Sequence, residues 1–162
     1  MHEQSWAGKL ATATSRVDLH CHTTASDGGL SAQDLVARAA SMGIEVLAIT
    51  DHDTTEGVPA ALSEAQRRGV VVVPGVEISA VSGREDIHLL GYFVDPDNAE
   101  LQTLLARARE ARRERARKML DRLAELGLPV EADPLIEVSG GSGSIGRPHV
   151  ATTLLAAAHV TS

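Results

Sequence analysis

Apolar and polar positions along the chain fall into short runs whose period switches several times. "RVDLH" (16–20) reads as a short strand ending at His20. "SAQDLVARAASMG" follows with helical spacing, Ser31 as N-cap with Asp34 three residues on, and Gly43 at the C-terminal end. "IEVLAIT" is the continuous apolar run of a buried strand and stops at Asp51. A second helix is expected from a Thr55 cap to Gly69, then a third strand, "VVVVP", closed by Pro74 and Gly75. Strand, helix, strand, helix, strand at this spacing argues for parallel βα units, and so for an α/β fold.

"VEISAVSGREDIHLLGYFV" alternates on either side of Ser82-Gly83 and reads as a hairpin. Residues 98–126 form one long helix, with Leu101, Leu104, Leu105, Ala108, Met119, Leu123 and Leu126 on its apolar side; Gly127 and Pro129 end it. Residues 129–146 are a Gly/Ser-rich loop, and "RPHVATTLLAAA" starts another helix with Pro148 in its first turn. Residues 1–15 have no period and read as a loose leader, which leaves 16–162 as one domain.

The 162 residues suffice for a single core, but Trp6, Tyr92 and Phe93 are the only aromatics, so that core is aliphatic. The same scarcity argues against an aromatic stacking surface for single-stranded nucleic acid. A net charge of −7 argues against general binding of duplex DNA, while leaving a small phosphorylated ligand open through metals or a few arginines. Cys21 is the only cysteine, so no intramolecular disulfide forms and a reducing, cytoplasmic setting is expected. No signal peptide or membrane span is read from the chain.

Chemistry gathers where strands end. His20 and His22 close the first strand; Asp51, His52 and Asp53 close the second; Glu77 follows the third; and His88 lies in the hairpin. Ligands collect at the carboxyl ends of parallel strands, because the loops there converge on one crevice. Residues i and i+2 of a strand face the same way, so His20 and His22 can share one ion while Cys21 faces inward. Imidazoles with carboxylates suit Mn, Zn or Fe better than Mg or Ca.

Each piece also has a plain structural explanation. "TDHD" is a polar turn ahead of a helix, Glu77 is a partner for an arginine, and His88 is a strand histidine. What these explanations leave unexplained is the gathering of all these residues at one sheet edge. A Cys21 nucleophile is disfavoured by its inward direction. Gly141, Gly143 and Gly146 spell G-x-G-x-x-G without the preceding strand that a dinucleotide site requires, and read as loop. Arg147 and His149, at a helix start, suit a phosphate or a plain surface equally. The eight basic residues from Arg107 to Arg122 are interleaved with Glu110, Glu114 and Asp121 and read as a solvated face.

In this order, "DLHCHTTASDG", "AITDHDT", "GVEIS", "HLLGY" and "GRPHVA" resemble the PHP (polymerase and histidinol phosphatase) family of metal-dependent phosphoesterases. The likeness is greatest to the branch of nucleoside 3′,5′-bisphosphate phosphatases and 5′-to-3′ exoribonucleases acting on short RNA. The resemblance implies a distorted (β/α)7 barrel holding up to three divalent ions, Mn2+ first, with Zn2+ or Fe2+ as alternatives. It assigns His20 and His22 to one ion, Asp27 and His52 to a second, Glu77 as bridge and His88 to a third. Arg147 matches the phosphate-contacting arginine, His149 stands in the same motif, and Asp51 and Asp53 are expected to orient ligands or accept a proton.

The resemblance also implies a further metal ligand and a late Asp-x-His pair that the 162 residues do not supply; His159 follows an alanine-rich helix. A fragment or a shortened relative is therefore expected, with a barrel incomplete at its C-terminal side, weak metal binding and slow hydrolysis. The expected activity is hydrolysis of a nucleotide 3′,5′-bisphosphate or a short RNA 5′ end by metal-activated water. The alternatives are a histidinol-phosphatase-like enzyme and a non-catalytic metal-binding or interaction module.

Overall fold

The computed structural model describes residues 16–83, 85–130 and 144–160. The expected leader, Gly141, Gly143 and most of the Gly/Ser-rich loop lie outside these residues. Among the described residues the elements are, in order, β1 (Val17–Cys21), α1 (Ala32–Ser41), β2 (Val46–Ile49), α2 (Val58–Arg68), β3 (Val71–Ser82), β4 (Glu85–Tyr92), α3 (Ala99–Glu125) and α4 (Arg147–Ala156). The strands form one sheet in the order β1-β2-β3-β4, parallel between β1, β2 and β3 and antiparallel between β3 and β4.

Helix α1 begins as its sequence specifies: the Ser31 hydroxyl accepts the Asp34 N–H at 3.1 Å. It ends at Met42, with Gly43 following at a φ of +74°. Strand β2 is the buried centre, with Leu47, Ala48 and Ile49 at 1% exposure or less, the mark of a parallel strand covered on both faces. Val36, Ile49, Val58, Ala61 and Val72 belong to the core that α1 and α2 make with the sheet. Strand β1 lies at the edge of the described sheet, and an irregularity between Asp18 and Cys21, the stretch that carries His20, shifts its register.

Three expectations are corrected. Helix α2 starts at Val58 behind Gly57, not at a Thr55 cap. The Thr55 side chain is buried and its hydroxyl accepts Gln102 Nε2 at 2.8 Å, so it is spent on α3 rather than on its own helix. Pro74 and Gly75 do not close the third strand. Strand β3 runs through them for 12 residues, because it changes partners there: Val71–Pro74 pair with β2, and Gly75–Ser82 pair with β4. A Cβ at Gly75 would stand 2.9 Å from the Ile49 carbonyl oxygen and 3.0 Å from that of Gly91, so only glycine fits between both neighbours.

The third correction concerns α3. Its inner face is marked by Leu105, Arg112 and Ala116, while Leu104 and Leu126 are exposed. Asn98 caps it, accepting the Leu101 N–H at 2.9 Å. A second small core of Ala116, Ile145 and Val150, extended by Met119, Leu123 and Leu154, joins α3 to α4. Among the described residues no helix is long and apolar enough to cross a membrane.

Candidate metal centre

The loop after β1 is built around Asp51. That carboxylate is fully buried and accepts the Thr23 N–H at 2.7 Å, the Thr23 hydroxyl at 2.7 Å and the Ser26 hydroxyl at 2.6 Å. A buried carboxylate needs such donors. The loop doubles back so closely that a Cβ on Gly28 would lie 2.2 Å from the His22 carbonyl oxygen. Ser26 Oγ stands 3.4 Å from His22 Nδ1, so Asp51 fixes the loop that carries both His22 and Asp27.

Glu77, 4% exposed, is the hub. Its Oε2 lies 2.8 Å from His20 Nε2, 3.0 Å from His22 Nε2 and 3.6 Å from His52 Nδ1, and its Oε1 bonds His88 Nδ1. Asp27 reaches His22 Nδ1 at 3.2 Å and His52 Nε2 at 3.6 Å. The imidazoles stand side by side: His22 and His52 have centroids 4.6 Å apart, His52 and His88 5.0 Å. Three overlapping donor groups result, His20–His22–Glu77, His22–Asp27–His52 and His52–Glu77–His88, the donor atoms of each lying within 4.8 Å of one another.

The residues fit divalent ions. His52 Nδ1 is buried and has no hydrogen-bond partner among the described residues, a position that an ion would satisfy. Burial, and then the charge of Arg112, push the His52 pKa down to about 4, so near neutral pH it is the uncharged imidazole that binds metal. Burial pushes Asp27 up, but the His22 hydrogen bond and the charges of His52, His22 and Arg112 prevail and hold it at about 2. Glu77 likewise stays below the usual carboxylate range: burial opposes ionisation, and His20, His52 and His88 outweigh it. His22 is raised despite its burial, through Asp27 and the charges of Glu77 and Asp51.

The other expected site residues fall outside this ligand cluster. Asp53, fully buried at a φ of +53°, accepts the Ser79 N–H at 2.8 Å and the Arg112 Nε–H. Arg147 is exposed and donates from Nη2 to Asp86 at 2.8 Å. His149 is buried, and its Nδ1 accepts the Gly146 N–H at 2.9 Å, closing the start of α4. Cys21 packs against the main core, and burial together with neighbouring Asp18 pushes its thiol up to about 12, far from a nucleophile's range.

The solvated reading of the basic helix holds for Arg113, Arg117, Lys118 and Arg122, which pair along α3. It fails for Arg112 and Arg109. Arg112, 4% exposed, reaches Asp53 and donates to Ser79 Oγ at 2.6 Å, while Arg109 donates to the Asp53 carbonyl at 2.8 Å. The available signal was position: Arg112 lies seven residues past Leu105 and four before Ala116, on the apolar line of the helix. Thr23, Ser26 and Ser144, whose hydroxyl donates to the His52 carbonyl at 2.5 Å, carried no comparable signal.

Fold and site together define an α/β chain whose parallel strand ends carry a polyhistidine–carboxylate cluster suited to divalent metals. Residues 18–122 match the PHP domain, and the chain belongs to that family. It is similar to the 5′-3′ exoribonuclease Rnm of Salmonella typhimurium, 41% identical over 140 residues that cover 85% of this chain and 47% of that protein. It is also similar to the 3′,5′-nucleoside bisphosphate phosphatase of Chromobacterium violaceum, 37% identical over 139 residues, 86% of this chain and 49% of that protein.

Among solved structures, an amidohydrolase from Chromobacterium violaceum with bound sulfate and no metal matches with a TM-score of 0.83 at 36% identity, covering 90% of this chain and 51% of that one. A putative metal-dependent phosphoesterase from Bifidobacterium adolescentis matches equally, with a TM-score of 0.83 at 35% identity over 91% of this chain and 52% of that one. The chain thus spans about half the length of these relatives. Its four-stranded sheet is an incomplete PHP-type barrel.

Proposed function

We propose that the protein is a metal-dependent phosphoesterase acting on a nucleotide 3′,5′-bisphosphate or the 5′ end of a short RNA, with Mn2+ as its preferred ion. The observation that carries this reading is Glu77: both its oxygens are engaged by imidazoles, and beside it stands His52 with a buried, unpartnered nitrogen. Such an arrangement is suited to holding several ions close together. Bound divalent ions would supply Lewis acidity toward phosphoryl oxygens and lower the pKa of water to near neutral.

In this reading His20 and His22 would hold one ion, Asp27 and His52 a second and His88 a third, with Glu77 shared among them. Asp51 and Asp53 keep the loops on either side of His52 in place. Arg147, exposed at the start of α4, exchanges Asp86 for a phosphoryl oxygen and steadies the charge that grows there; His149 fixes the turn that presents it. The names of the two relatives support the substrate class, and the sulfate in the structural neighbour is an oxyanion of similar shape. A cytoplasmic location fits the lone thiol of Cys21.

The test is metal content and phosphate release. The Mn2+-loaded chain should retain metal through gel filtration and release phosphate from adenosine 3′,5′-bisphosphate above the background of Glu77→Gln. Glu77→Gln should lose at least ~90% of the metal, in keeping with the loss of a bridging ligand. Metal retained without turnover of the bisphosphate or of 5′-phosphorylated RNA would leave a binding module and refute the phosphoesterase reading. Turnover of histidinol phosphate alone would refute the substrate.

A further inference from the structure

Past Arg112, helices α3 and α4 leave an open groove of about 490 Å3 between them. Met119, Leu123 and Leu154 contribute to its aliphatic floor. Four basic residues border the same groove, lining it almost wholly with their aliphatic stems while their charged heads pair with Asp86, Glu114 and Glu125: Arg115, Lys118 and Arg122 from α3, and Arg147 from α4. We propose that this groove is a track for single-stranded RNA, holding the nucleotides beyond the one at the metal centre. The inference rests on the phosphoesterase reading and extends it from a terminal phosphate to a chain.

Three observations support it. The first is continuity. Asp86 stands two residues from His88 on β4, so both side chains face one side of the strand. A smaller cavity of about 170 Å3, lined by Ser79, Asp86, His88, Arg112 and Arg115, shares His88 with the metal centre and Arg115 with the groove. The second is charge. Arg115 and Arg147 converge on the single carboxylate of Asp86, at 3.3 and 2.8 Å, which leaves a local excess of positive charge in a chain whose net charge is −7.

The third is spacing. Arg115, Lys118 and Arg122 follow one another at i, i+3 and i+7 on one face of α3 and span about 10 Å along its axis. Among the described residues, Lys118 and Arg122 are held by exposed neighbours, Glu114 at 3.6 Å and Glu125 at 2.6 Å. Exposed ion pairs of this kind contribute little, so phosphates can replace the carboxylates readily. With no aromatic in the groove, a base would lie on aliphatic side chains and the Met119 thioether. Binding is then mainly electrostatic and tolerant of sequence.

The signature is salt dependence. Binding of a 5′-phosphorylated, fluorescein-labelled pentaadenylate is followed by anisotropy in EDTA, so that no turnover interferes. Four phosphate contacts give a slope of log K against log salt near about −2.8, and one contact about −0.7. Between 50 and 200 mM KCl the wild-type affinity should therefore fall about 50-fold, and that of Arg115→Gln/Lys118→Gln/Arg122→Gln only about 3-fold. Met119→Glu, which puts a negative charge in the floor, should weaken binding at every salt concentration.

An unchanged slope in the triple variant, or no binding by the wild type at 50 mM KCl, overturns the track. So does a dimer in light scattering that Met119→Glu splits, which would make the groove a protein interface. Salt-dependent pentaadenylate binding by a chain that never hydrolyses a bisphosphate sinks the phosphoesterase reading and leaves the track standing.

Discussion

Replacing Arg112 by Met removes the only positive charge bonded to the Asp53 carboxylate among the described residues. Asp53 is fully buried and keeps one donor, the Ser79 N–H, while Ser79 Oγ loses its 2.6 Å partner. Breaking a buried pair from one side leaves an uncompensated charge and costs about 3–5 kcal/mol. For a chain of this length each kcal/mol shifts the melting temperature by about 2–4 °C, so Arg112→Met should melt about 6–20 °C lower. The assay is thermal unfolding by circular dichroism in EDTA, so that metal affinity does not enter.

Adding Asp53→Asn removes the stranded charge but keeps an acceptor for Ser79. The double variant should therefore recover to within about 1–2 kcal/mol of the wild type, as neutral replacement of buried pairs commonly does. The consequence reaches the site, because the Asp53 N–H donates to the Glu77 carbonyl at 2.9 Å and the Glu77 N–H to the Asp51 carbonyl at 3.1 Å. The Co2+ absorption spectrum of Arg112→Met should broaden as His52 loses its fixed position. A single variant melting within about 2 °C of the wild type, or a double variant less stable than the single, would refute the reasoning.

Acid should destabilise the metal-free chain in two steps. His52 and Asp27 have folded pKa values below their ordinary ones, so the unfolded chain takes up the proton first and stability falls with pH, from 6.5 toward about 4 for His52 and from 3.8 toward about 2 for Asp27. His22, raised in the folded state, acts oppositely above 6.5, so melting temperature against pH should peak near that value and His52→Asn should flatten the acid limb. Mn2+ at 100 times its dissociation constant should add about 2.7 kcal/mol of stability, an increment that His20→Ala shrinks while lowering the melting temperature in EDTA by no more than about 2–4 °C, since the His20 side chain is 51% exposed and gives up one hydrogen bond to Glu77. Gly75→Ala should cost about 1–3 kcal/mol in urea titration, because its Cβ meets two backbone carbonyls. Cys21 should react with iodoacetamide at pH 7.4 far more slowly than a free thiol; a rate equal to glutathione's would contradict its burial.

What the amino-acid pattern discloses and what it hides divide along the range of the forces involved. The capped helix at Ser31, the buried run at Leu47–Ile49 and the hairpin about Ser82-Gly83 are local, and each appears in the structure where its own residues predict it. The gathering of His20, His22, His52, Glu77 and His88 was legible for the same reason. Parallel strands bring their carboxyl ends to one edge, so residue type plus strand order suffices.

Pro74-Gly75 misleads because punctuation that ends a strand in isolation is tolerated where β3 exchanges one partner for another, an event decided by partners 25 residues upstream of Pro74 (Ile49) and 17 downstream of Gly75 (Tyr92). Arg112 misleads more deeply, since its partner Asp53 lies 59 residues away and the surrounding glutamates offer a local explanation that is true of its neighbours. The two aspartates flanking His52 follow from the same logic. Each is buried and tied to a different element, Asp51 to the loop after β1 and Asp53 to β3 and α3. His52 is thereby held from both sides with its Nδ1 beside Glu77 and without a hydrogen bond among the described residues, a product of packing on which no local pattern reports.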